Sequence, residues 1–323
     1  MFQVHGGRSV GAEILLVGGV VIQYVATRLS MAAAGRRDGA APGRMALAQW
    51  LPILATTLAA IALRQPEMAL CLVFGSSVAA LALVMGMTMY VAPPANPTPQ
   101  WRLWAMVLPP SILLLLAGFR GQLTWFHAVM LLIMGAAFLS VWVERRPEHE
   151  SAAFAADPPG NSPGAVLLIP ALLLAGVGAY AAVRGAGLSA GRLLTPDLMA
   201  ATILSPLLLL PSLGVGTLLA QQGHTDRAIT SLCGTVQLNL CLLLPVVVLV
   251  QYAIGAVHGN ADPMIYPLIT WRVDTVLLVV LSFALLPVAA GRWMPERIEA
   301  ALLVIVYIGY LFAETALSVR LLG

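Results

Sequence analysis

Ten stretches of this chain are apolar over enough residues to cross the hydrocarbon core of a bilayer, which takes about 20 residues of helix. Runs of this kind leave few options. Inside hydrocarbon every backbone N–H and C=O must find a partner within the protein, and continuous apolar runs of this length do so as helices. Charged residues make up 10% of the chain and hydrophobic ones 60%, against about 25% charged in an average soluble domain. So few charges cannot cover a soluble surface of this size. The expected fold is an all-α membrane protein with ten transmembrane helices. They are predicted at Ala12–Met31, Met45–Leu63, Glu67–Val91, Leu103–Phe119, Leu123–Val143, Ala165–Val183, Asp197–Gln221, Arg227–Ile254, Trp271–Ala290 and Glu296–Val319. The longest polar stretch, "ERRPEHESAAFAADPPGNSPG", falls between the fifth and sixth helices and marks the midpoint. The N-terminus "MFQVHGGRSV" lacks a compact leader with a small-residue cleavage site, so the first apolar segment is expected to remain as a helix.

Arginine placement sets the expected orientation. All 17 basic residues are Arg. The side of the midpoint linker collects more of them, with Arg28, Arg36, Arg37 and Arg44 clustered around the first connection. The positive-inside rule then puts the linker 144–164 in the cytoplasm and both termini outside, in a multi-pass protein of a bacterial-type inner (cell) membrane. A net charge of +3 without a clustered basic surface excludes a nucleic-acid partner. The lipid bilayer is the partner expected. Cys71, Cys233 and Cys241 lie inside apolar runs without a CxxC spacing and read as small packing residues.

The chain repeats itself. Shifted by 159 positions, the early part lies on the later part without a gap: Leu51-Pro52 meets Leu210-Pro211, Glu67 meets Asp226, Gly75 meets Gly234 and Ser76 meets Thr235. The second parts of the copies correspond less tightly, "GFRGQLTWFHAVMLL" with "AGRWMPERIEAALLV". Five helices per copy is an odd number. The copies, 1–143 and 165–323, are therefore expected to enter the membrane upside down relative to each other, an arrangement common in secondary transporters.

These elements resemble the cation/calcium exchanger superfamily, the sodium/calcium exchangers, over nearly the whole chain. Members carry G-T-S-L-P-E and then G-N/D-x-x-G-S-N in each repeat, and the last helix "RIEAALLVIVYIGYL" is similar to theirs. The resemblance implies ten helices, two inverted repeats, a cytoplasmic linker and transport across the membrane. In the family the Glu after L-P, with nearby acids, amides and hydroxyls, binds sodium and calcium.

This chain departs from that pattern at almost every ligand position. The first L-P element reads "AQWLPI", so Ile53 replaces the Glu, and Gln49 and Trp50 replace Thr and Ser. The second reads "LLLLPS", with Ser212 for Glu and Leu208 and Leu209 for the hydroxyls. "CLVFGSS" and "TSLCGTV" replace the amide motifs: Leu72 and Ser77 stand for amides in one, Ser231 and Val236 in the other. Calcium takes about 6–8 oxygen ligands with enough negative charge to offset its dehydration. With both carboxylates gone, calcium/sodium exchange is not expected.

The remaining polar positions admit two readings each. Ser76, Ser77, Thr230, Ser231 and Thr235 either line a reduced pore or, beside Gly75 and Gly234, let helices approach closely with their hydroxyls bonded to the preceding turn. Gln237 and Asn239, amides at membrane depth, either bond between helices or line a cavity. Thr56, Thr57 and Thr217 follow the L-P elements by about one turn and are expected to satisfy carbonyls freed by Pro52 and Pro211. Glu67 and Asp226 fit the positive ends of helix dipoles. Asp274, beside Arg272, reads as interfacial. Glu314 either reaches the interface or holds a proton. Gly75 and Gly234 are expected where helices three and eight cross. His127, His224 and His258 show no ligand spacing, and the chain has no Walker loop, G-x-G-x-x-G or G-x-S-x-G. No cofactor, metal or enzymatic activity is assigned. Two functions remain: a transporter with a neutral, weakly polar site, or a non-transporting subunit of a larger membrane complex.

Overall fold

Prolines and tight caps punctuate the helices. Pro66 opens one helix and Pro109 and Pro110 another, positions where the missing N–H has no intrahelical partner to lose. Thr195 caps a third by accepting from the Leu198 N–H at 3.3 Å, with Pro196 and Asp197 in its first turn. The computed structural model describes residues 6–34, 42–94, 104–119, 122–144, 163–190, 195–257, 264–265, 268–289 and 295–322. Among them the helices in chain order are α1 (Gly6–Ala34), α2 (Pro42–Ala62), α3 (Pro66–Val91), α4 (Leu108–Gly118), α5 (Trp125–Glu144), α6 (Pro163–Ser189), α7 (Pro196–Gln221), α8 (Thr225–Val257), α9 (Leu268–Ala289) and α10 (Arg297–Leu322). Eight are long and apolar enough to cross a membrane, and α4 and α5 carry shorter apolar stretches.

The protein is thus an all-α membrane protein, with element ends that depart from the sequence reading where prolines or pairing intervene. α4 begins at Leu108, later than predicted, because Pro109 and Pro110 fit its first turn. Leu123 is extended rather than helical. Gln122 and Leu123 pair antiparallel with Ile265 and Met264, tying the α4–α5 connection to the α8–α9 connection. Of the expected linker 144–164, residues 145–162 lie outside the described residues, as do His258, Arg36 and Arg37.

The connections α2–α3 and α7–α8 are built alike. The Gln65 N–H bonds the Ala60 carbonyl at 2.9 Å and the Arg64 N–H that of Ile61 at 2.9 Å; the His224 N–H bonds Leu219 at 2.8 Å and the Gly223 N–H Ala220 at 3.0 Å. Both are left-handed caps, with φ of 58° at Arg64 and 80° at Gly223. These pairs stand at the 159-position offset of the sequence repeat. The same offset brings two π-helical stretches into overlap, Ala79–Val84 in α3 and Asn239–Leu243 in α8. A third, Ala200–Leu204, lies in α7.

α3 runs through the centre, with 94% of its span buried, whereas only 28% and 33% of the spans in α1 and α6 are. α1 and α6 pack along their length because small residues let the backbones touch. A Cβ at Gly178 would meet the Gly19 carbonyl oxygen at 2.9 Å, and one at Gly185 the Ala12 carbonyl oxygen at 2.9 Å. At the other edge Trp271 of α9 sets its indole over Gly118, donates to the Leu114 carbonyl at 3.0 Å, and meets the ring of Phe74 edge-on at 5.5 Å. An indole N–H buried this way needs such an acceptor.

A neutral polar crossing between two central helices

The Gly75-Ser76-Ser77 triplet sits in the fully buried middle of α3. A Cβ on Gly75 would stand 2.8 Å from Ser205 Oγ and 2.9 Å from the Ala201 backbone. The residue therefore seats α3 against α7, not against α8 as the repeat alone suggests. The reason is local: the hydroxyl-bearing neighbours, one and two positions on, occupy the face toward α8. Ser76 and Ser77 each donate to the Val73 carbonyl, at 3.2 and 2.7 Å. Both oxygens then accept from one amide across the crossing, Asn239 Nδ2, at 3.1 and 3.3 Å. Asn239 opens the π-helical stretch of α8, and its Oδ1 has no hydrogen-bond partner among the described residues.

A second polar set lies one turn away along α8. Ser231 bonds back to Ala228 at 2.9 Å, and Thr235 to Ser231 at 3.0 Å, with Gln49 Oε1 of α2 3.5 Å away. Gly234, next to Thr235, and Gln237 are buried in the same helix. Thr230 donates to the Asp226 carbonyl at 2.8 Å and accepts from the Trp104 indole at 3.1 Å.

The residues around the L-P elements are placed separately. Thr56 donates to the Pro52 carbonyl at 2.6 Å and receives Gln23 Nε2 at 3.3 Å. The carbonyl that Pro52 frees belongs to Ala48, out of reach of Thr56, and it takes the Ser30 hydroxyl at 3.4 Å. Thr217 likewise bonds Leu213 and Gly214, each at 3.0 Å, rather than the carbonyl freed by Pro211. A threonine hydroxyl reaches only three or four residues back, so the expected repair by Thr56 and Thr217 does not occur. Ile53 is fully buried. The Thr57 and Ser212 hydroxyls are buried without a partner among the described residues, as is the indole N–H of half-buried Trp50.

The structure therefore joins Ser76, Ser77 and Asn239 in one hydrogen-bonded group and sets Gln49, Ser231 and Thr235 beside one another. It leaves Thr57, Ser212 and Trp50 out of both. No carboxylate belongs to either group. Partnerless oxygens on Thr57, Ser212 and Asn239 are acceptors for a water or another hydrogen-bond donor. Among the described residues no cluster of three His, Cys, Asp or Glu side chains could hold a metal ion.

Two features escaped the sequence reading. Gln23, a lone amide deep in the first apolar run, links α1 to both α2 and α6 through Thr56 and the Ala175 carbonyl at 2.8 Å; its depth in an apolar helix was the available signal. Asp274 is fully buried, not interfacial, because Tyr310 of α10 donates to its Oδ1 at 2.8 Å.

Comparison with known proteins places this geometry in context. The family model described as sodium/calcium exchanger protein matches residues 44–143 and 163–316. Among solved structures, the sodium-calcium exchanger NCX_Mj soaked with 100 mM Na+ and 10 mM Sr2+ aligns with a TM-score of 0.66 at 18% identity, covering 93% of this chain and 96% of that one. The same exchanger soaked without Na+ and Ca2+ aligns at 0.63 and 20% identity, over 93% and 97%. The H+/Ca2+ exchanger CAX aligns at 0.60 and 12% identity, over 99% of this chain and 91% of its own. At these identities the likeness is one of fold. A search of curated proteins finds no match.

Proposed function

Because the chain belongs to the sodium/calcium exchanger family, we propose that it is a transporter-like membrane protein whose central cation site has become neutral, so that it does not exchange calcium for sodium. The observation that carries this reading is the crossing of Ser76, Ser77 and Asn239, where both hydroxyls accept from one amide and no charged group takes part. Ile53 and Ser212, which the motif resemblance sets against the family's two ligand carboxylates, are both buried. A divalent cation in low dielectric needs charge as well as oxygen number. Hydroxyls and an amide suit a proton, a monovalent ion or a small uncharged solute instead. A second reading, a non-transporting subunit bound to other membrane proteins, draws on the seat of Gly75 against Ala201 and Ser205, which leaves no space between α3 and α7 at that level.

The same reading takes 1–143 and 165–323 as inverted repeats. The shared caps at Arg64 and Gly223 and the overlapping π-helical stretches support it. It places the linker 144–164 in the cytoplasm and both termini outside, in a cell (inner) membrane. The test is calorimetric titration of the purified protein in detergent with calcium and then sodium. No saturable heat is expected; a tight calcium isotherm overturns the reading.

A further inference from the structure

α9 and α10 lie side by side and leave an open cleft of about 480 Å³ between them, within the range of about 300–1,000 Å³ usual for small-molecule sites. Its walls are apolar. Among them are Val276 and Val280 of α9 and Val306 of α10, which are 47%, 55% and 39% exposed. Gly309 of α10 belongs to the lining, and a Cβ there would meet nothing within 4 Å. The Tyr310 ring lines the cleft too, while its hydroxyl donates to Asp274 Oδ1 at 2.8 Å. Asp274 is fully buried and Glu314 is 2% exposed, and neither belongs to the lining. The two acids nearest the cleft are therefore buried in the protein.

The charged residue in the lining is Arg272, which is exposed. It follows directly on Trp271, where the apolar span of α9 begins. Ala313 on the opposite wall lies in the last turn of the α10 span, which ends at Ala316. Arg272 thus stands at the mouth of the cleft, at the boundary of the apolar belt. From Arg272 to Val280 the cleft follows α9 for roughly 12 Å, at about 1.5 Å per residue. That is close to the depth of one leaflet, half of a hydrocarbon core about 30 Å thick.

We propose that this cleft binds one anionic phospholipid, with an acyl chain along Val276, Val280 and Val306 and its phosphate held by Arg272. The depth suits one chain of one leaflet, and the open space at Gly309 gives the chain room against α10. A guanidinium stays charged and offers five N–H donors in a fork that fits a phosphate. A phosphate therefore finds donors there whatever else the side chain touches. A second copy of the protein, docked symmetrically through the same face, would bring Arg272 toward its own counterpart with no acid in the lining to offset it. The site is separate from the central crossing and stands whatever that crossing binds.

Native mass spectrometry of the full-length protein in detergent tests this, with phosphatidylglycerol and then phosphatidylcholine of the same chains as probes. The wild type should retain a single phosphatidylglycerol at collision energies that strip all other lipid, about fivefold more of it than of phosphatidylcholine, the effect of one Arg beside an anionic headgroup. Arg272→Gln should erase that preference and Arg272→Lys should restore most of it. Gly309→Leu fills the cleft and should remove the retained lipid of either kind. Equal retention of the two lipids by the wild type means an ordinary lipid annulus and overturns the proposal. So does an undiminished preference in Arg272→Gln, or a lipid that survives Gly309→Leu. A dimer peak that Gly309→Leu abolishes would give the cleft to a second copy and overturn it too. Should Gly309→Leu fail to fold, the two Arg272 variants, altered at an exposed side chain, decide the matter.

Discussion

Two of the places where the bundle buries polar side chains are built differently. At the crossing of α3 and α8 the groups are Ser76, Ser77 and Asn239, all neutral and fully buried, with both hydroxyls bonded to their own helix and to one shared amide. Between α9 and α10 the groups are Asp274, Tyr310 and Glu314, two of them acids. The first arrangement joins two serines, through i−3 and i−4 bonds, to one shared amide, whose Oδ1 has no partner among the described residues. The second buries two acids, so that charge as well as hydrogen bonds has to be balanced. The lesson is that burial alone does not mark a site of ion chemistry; the sign and number of charges left to be balanced does.

The sharpest way to break the contrast is to attack the crossing by size. Gly75→Leu puts atoms where Ser205 Oγ and Ala201 already stand, 2.8 and 2.9 Å from the Cβ position. It should cost about 3 kcal/mol, the upper end of ordinary overpacking, read as a lowered Tm and loss of the monodisperse peak in detergent. A Gly75→Leu protein as stable as wild type would mean that α3 and α7 are not in contact there. The next test adds a charge. Asn239→Asp removes both donated bonds and sets a carboxylate among neutral partners, at about 2.5 kcal/mol on the scale for helix-centre acids. Asp274→Asn, the reverse exchange in the other place, should be much milder, because Tyr310 still has an acceptor. Equal losses in thermal denaturation would erase the distinction between the two regions. The smallest effect is Ser76→Ala, at about 0.6 kcal/mol, the average for an intramembrane hydrogen bond. Because Ser77 still accepts from Asn239, the shift in Tm should be barely resolvable; a collapse in stability would show that the two serines are not interchangeable.

Much of this was legible in the sequence, for physical reasons. Membrane spans announce themselves by length and by the absence of charge, and the offset of Gly75 from Gly234 and of Pro52 from Pro211 is the same 159 positions that separates the caps at Arg64 and Gly223. The buried state of Ser76, Ser77, Thr235 and Asn239 followed from their depth in apolar runs. What stayed hidden depends on rotation and on distant partners. Nothing in "GSS" says which of three residues faces α7. Asp274 beside Arg272 has the same local signature whether it meets water or not, and its bond from Tyr310, 36 positions away, is not visible from that signature. The π-helical stretches leave no compositional mark, since Ala79–Val84 is as good an α-helical sequence as any.

Those stretches have a consequence for how α3 meshes with its surroundings. One additional residue in a turn advances the phase of everything after it by about 100°. Ahead of Ala79–Val84 the helix presents Gly75 to α7 and Ser76 and Ser77 to Asn239. Beyond it, Gly86 lies against Ala300 and Leu303 of α10, and Thr88 against Gly216 in the far half of α7. α3 is thus a single shaft cut with two keys at different angles. Its first part engages α8 and the near half of α7, its second α10 and the far half of α7, and the π-helical turn between them sets the angle of one engagement apart from that of the other.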